Sequence, residues 1–75
     1  MSKIKGILDS WSEGPGGMLC SADPDFGGII DRTFRGDEWV VIFNNDNLET
    51  LKGFATRIEA VQAAMKVLST VKATS

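Results

Sequence analysis

The chain has 75 residues, with 8 basic and 10 acidic side chains, no histidine, no tyrosine and one cysteine. A chain of this length forms one small domain, in which an ordering entropy of roughly 1.5 kcal/mol per residue nearly cancels the gain from burial. Lacking histidine it has no imidazole base, so Ser-His-Asp and Cys-His chemistry and the common Cys/His zinc sites are excluded, and Cys20 alone forms no internal disulfide.

The class these counts predict is a non-enzymatic protein with no cofactor and no metal, at home in a reducing cytoplasm. No run nears the roughly 20 apolar residues of a membrane span. Residues 1–12 carry Lys3 and Lys5 but lack the apolar stretch of a secretory signal. Charge is unevenly spread. Between residues 9 and 31 stand Asp9, Glu13, Asp23, Asp25 and Asp31 with no base, whereas residues 52–72 hold Lys52, Arg57, Lys66 and Lys72 against Glu59 alone. An acidic front half thus precedes a basic end.

In chain order, Ile4, Ile7, Leu8 and Trp11 fall at i, i+3, i+4 and i+7, which predicts a short helix over residues 1–13 ended by Gly14 and Pro15. Residues 14–28 hold both prolines and most of the glycines, and so read as one long loop. Residues 29–35 read as a strand, Gly36-Asp37 as a two-residue reversal, and residues 38–44 as the strongest strand of the chain. Apolar residues on both faces of that segment (Trp39, Val41 and Phe43 on one, Val40 and Ile42 on the other) predict a central strand covered on both sides, by the C-terminal helix on one face and by the N-terminal helix or a second subunit on the other. Asn44 to Asn47 supply turn chemistry, and residues 48–55 return as a third strand.

Residues 56–71 read as a helix opened by a capping box, Thr56 and Glu59. Ile58, Val61, Met65 and Leu68 make one stripe on it. Ala60, Ala64, Val67 and Val71 make a second stripe of smaller residues that permits close helix approach, including by a second copy in a homodimer. The expected architecture is therefore α+β: a short N-terminal helix, a loop, a three-stranded antiparallel meander and a C-terminal helix packed on one face, with residues 72–75 as a tail.

Several motifs reduce to ordinary local structure. Asp25-Phe26-Gly27 lacks the rest of a kinase, and Asp23-x-Asp25 lacks the later ligands of a calcium loop. Asp37 and Glu38, adjacent at a hairpin end, point to opposite faces and share no substrate. Two constellations remain. Trp11 and Phe26, beside the acids Asp23 and Asp25, combine large aromatics with complementary charge and read as anchors for a protein partner. Arg32, Arg35 and Lys52, with Trp39 or Phe43 on the same sheet, read as a face for nucleic acid, with cations tracking phosphates beside stacking rings.

Trp39 opening a strand, then Gly53-Phe54, then Phe54-x-Thr56-x-x-Glu59-Ala60 running into an alanine-rich helix resembles the three-strands-plus-helix domains of the AP2 type. It also resembles the arm-binding domains of phage and transposon integrases and the ends of small uncharacterised phage proteins. The resemblance covers about residues 39–64. It implies a sheet face that carries arginines, here Arg32 and Arg35, into a DNA groove. The functional expectation is a small protein-binding module, similar to phage accessory proteins, that attaches stoichiometrically to a larger host protein, such as a nucleic-acid-handling enzyme, blocking or redirecting it. The alternative is a sheet-face DNA binder.

Overall fold

The computed structural model describes residues 11–74. These form five strands, β1 (Ser12–Glu13), β2 (Leu19–Ser21), β3 (Gly28–Arg32), β4 (Trp39–Phe43) and β5 (Leu51–Phe54), followed by one helix, α1 (Arg57–Thr74). The strands lie in chain order across a single antiparallel sheet, a five-stranded meander. The α+β class expected from the sequence holds; the sheet has five strands where three were expected. No helix among the described residues is long and apolar enough to cross a membrane.

The two additional strands replace expected helix and loop. Residues 1–10 of the expected N-terminal helix lie outside the described residues, and Ser12 and Glu13 are extended, opposite Cys20 and Leu19. Pro15 starts a 3-10 turn through Gly17, and the Gly14 N–H donates to the Met18 carbonyl at 2.7 Å, which closes a hairpin. The segment after it is a strand because of a distant partner: Leu19 stands opposite Ile30 and Cys20 opposite Ile29. Local glycine content hid that pairing, since strand formation depends on cross-strand neighbours more than on intrinsic preference. At Gly28 a Cβ would lie 2.9 Å from the Phe43 Cα and closer still to the Ile42 carbonyl oxygen. The approach of β3 to β4 therefore requires glycine there.

The β3–β4 connection also differs from expectation. β3 ends at Arg32, and the Thr33 N–H donates to the Glu38 carbonyl at 2.8 Å, so residues 34–37 form a four-residue loop in place of a Gly36-Asp37 reversal. The Gly36 N–H returns to the Thr33 carbonyl at 2.8 Å, and Gly36 sits at φ 79, a conformation that glycine adopts without steric cost. The Asn44–Asn47 turn is as expected: Leu48 N–H donates to the Asn45 carbonyl and Asn47 N–H to Asn45 Oδ1, both near 3 Å.

One face of the sheet is covered by α1. Leu19, Ile30, Val41 and Leu51 stand opposite one another across four strands, and Ile30 and Val41 are wholly buried. Trp39 and Phe43 extend this core along β4, and Ala60, Ala64 and Leu68, one helical turn apart, seal it from α1 with no exposed surface. The small alanine side chains let the helix axis come close to the sheet. Ala60 and Ala64 of the stripe read as a surface for a second copy thus face the chain's own sheet, with Val67 packed against the same core, and Ile58 from the larger stripe lies 67% exposed. β4 is internal to the sheet but covered on one face only among the described residues: Val40 is half-buried and Ile42 is 46% exposed.

The helix begins with the expected Thr56 cap, and only the return bond from Glu59 falls one residue earlier than expected. Thr56 Oγ1 accepts from the Glu59 N–H at 3.2 Å, while Glu59 Oε1 reaches the N–H of Ala55, at 3.0 Å, in place of that of Thr56. α1 runs on to Thr74, through most of the segment expected as a tail.

Candidate functional site

The acidic constellation divides on folding. Trp11 is 7% exposed, joins the core beneath α1 and donates its indole N–H to the Phe26 carbonyl at 3.3 Å. A buried tryptophan needs such a partner, and so placed it offers no surface to a protein. Phe26 is half-buried against the same core. Asp23 and Asp25 remain exposed in the turn between β2 and β3, but Asp23 is occupied with holding that turn. Its Oδ1 accepts from the Asp25 N–H at 2.9 Å and the Phe26 N–H at 3.1 Å, and these two bonds hold its carboxyl below the ordinary value of 3.8. Asn44, directly after β4, fastens the turn, donating through Nδ2 to the Ser21 carbonyl at 2.9 Å and the Asp23 carbonyl at 3.0 Å. The segment is thus a rigid turn, with the Asp25 carboxylate as its exposed charge beside that of Asp23.

The basic constellation is not assembled on one face either. Arg32 stands opposite Trp39, with its guanidinium carbon 5.5 Å from the indole centroid, a cation–π contact on the helix-covered side. Arg35 belongs to the 34–37 loop, and Lys52 lies exposed on the edge strand β5, where the register shift between Trp39 and Val41 leaves it beside Val40. Trp39 and Phe43, read as stacking platforms, are core residues with 8% and 7% exposure. Arg57 joins the helix start to the first hairpin, donating to Glu13 Oε2 at 3.1 Å and to the Gly17 carbonyl at 3.0 Å. With both side chains well exposed, this ion pair contributes about 0–1 kcal/mol. Among the described residues no group of three or more His, Cys, Asp or Glu side chains is placed to hold a metal ion.

The surface feature that stands out is one the sequence reading enclosed in a strand. Phe34 is 105% exposed at the tip of the β3–β4 hairpin. Its loop is well held: besides the two backbone bonds at its base, Thr33 Oγ1 donates to Asp37 Oδ1 at 3.3 Å. Thr33, Phe34, Arg35, Asp37 and Glu38 line an open hollow of about 330 Å³. An apolar ring of full size is therefore presented on a fixed scaffold, flanked by charges of both signs. The signal available in sequence was its position directly before Arg35-Gly36, where a turn of four residues rather than two would expel it from the strand. No family model, no curated protein and no solved structure matches the chain.

Proposed function

We propose that the chain is a non-enzymatic binding module that attaches stoichiometrically to a larger protein, with Phe34 at the hairpin tip as its anchor. The observation that carries this reading is the complete exposure of Phe34 on a loop closed by three hydrogen bonds. Aromatic side chains that enter a partner's pocket with little loss of freedom dominate interface energetics, and a preformed loop removes much of the ordering cost. Arg35, Asp37 and Glu38 form the polar rim such an anchor needs, and their mixed sign favours a partner surface of mixed charge. The contact thus moves from the Trp11–Phe26 region to the opposite end of β3.

The test compares capture of a defined partner by the wild-type chain and by Phe34→Ala, with thermal melting as control. The expected outcome is one partner held at equal stoichiometry by the wild type, an affinity lower by about a hundredfold or more in Phe34→Ala (a loss of about 2.7 kcal/mol or more), and an unchanged melting temperature. A partner held equally well by both proteins overturns the assignment of Phe34, and its release by Asp25→Lys would return the contact to the acidic turn.

A further inference from the structure

The sheet face away from α1 carries an ordered apolar row. Cys20, Ile29 and Ile42 stand opposite one another on β2, β3 and β4, and Val40 adjoins the row on β4. Ile42 is 46% exposed, so a substantial part of its apolar surface remains in water. Two charges of opposite sign flank Val40: Asp31 is its register partner on β3, and Lys52, in the bulged stretch, adjoins it on β5. Among the described residues the ion pair is Arg57–Glu13, so neither Asp31 nor Lys52 is neutralised there.

This arrangement is self-complementary. A two-fold axis lying in the interface plane along β4 superposes the β3 side of one sheet on the β5 side of another, so Asp31 of each copy meets Lys52 of the second while Val40 and Ile42 meet their own equivalents. Isologous contacts have this form, and aligned sheets pack about 10 Å apart with their inner rows interleaved. We infer that this sheet face is the interface of a homodimer, built on Val40 and Ile42 and registered by reciprocal Asp31–Lys52 pairs. The contact is argued from residues of β3, β4 and β5 and uses none of the hairpin loop that carries Phe34, so its test is separate from that of the proposed partner contact.

Sedimentation equilibrium of the full chain from micromolar to millimolar concentration tests it, on the wild type, Ile42→Lys, Asp31→Lys, and Asp31→Lys combined with Lys52→Asp. The wild type is expected to dimerise, Ile42→Lys and Asp31→Lys to raise the dissociation constant by about tenfold or more, and the double charge exchange to restore it. The restored variant keeps the test valid even if Ile42→Lys fails to fold. A wild type that is monomeric throughout overturns the inference and leaves residues 1–10 or a different protein as the cover of this face. A dimer indifferent to the charge exchange and to Ile42→Lys overturns it equally.

Discussion

Asp23, read from the sequence as a binding group, also holds the backbone around it. Its carboxylate closes the turn after β2 by accepting two N–H groups, while the Asp23 carbonyl accepts the Gly27 N–H at 2.9 Å. Because the hydrogen bonds, first from Asp25 and then from Phe26, favour the ionised form, the folded-state pKa lies below the unfolded one. The stability this contributes is fully present above the ordinary carboxylate value of 3.8 and is lost as pH falls through the depressed folded value. Asp23→Asn keeps an oxygen acceptor and loses the titration. Urea melts between about pH 5 and about pH 2 should therefore show a shallower acid-side decline for Asp23→Asn than for the wild type, while Asp23→Ala is less stable than either above pH 5. Asn44, whose amide holds the same turn from directly after β4, was visible in the sequence only as one of a run of turn residues. Its role depends on a strand pairing that brings it across to residues more than twenty positions earlier.

At the scale of the element, α1 is the part most fully specified locally. The Thr56–Glu59 signature set its start within a residue because capping chemistry acts over four consecutive positions and needs no distant partner. Thr56→Ala leaves the Glu59 N–H without that acceptor, and we expect a loss of about 1 kcal/mol, readable in chemical denaturation. The strands behave differently. β4 was legible from its run of β-branched and aromatic residues. β1 and β2 were not, since two or three residues beside a glycine-rich turn become strands only when a long-range neighbour supplies the ladder. The same dependence explains Phe34. Whether residues 33–35 continue β3 or leave it is decided by where Glu38 bonds back, and that bond falls at Thr33.

For the whole molecule the decisive feature is a two-layer arrangement with α1 over one sheet face. The core cluster draws from Trp11 before β1, from β3, from β4 and from α1, so its residues stabilise the fold jointly. Leu68, wholly buried, and Ile58, 67% exposed, are both large apolar residues of the same predicted stripe, and only the packing distinguishes them. Leu68→Ala should cost about 2–5 kcal/mol, whereas Ile58→Ala should stay within about 0.5 kcal/mol; thermal melts of the two variants under one condition provide the comparison. The sequence by itself determined the α+β class, the position of β4, the Asn44–Asn47 turn and the capped start of α1, because each rests on periodicity or on hydrogen bonds among neighbouring residues. Only the tertiary structure decided that Trp11 is core and Phe34 is surface, that the alanine stripe of α1 faces its own sheet, and that Val40 and Ile42 share with Asp31 and Lys52 the face left uncovered among the described residues. Those outcomes follow from strand register and from which helix face meets the sheet, and both are fixed by contacts between residues far apart in the chain.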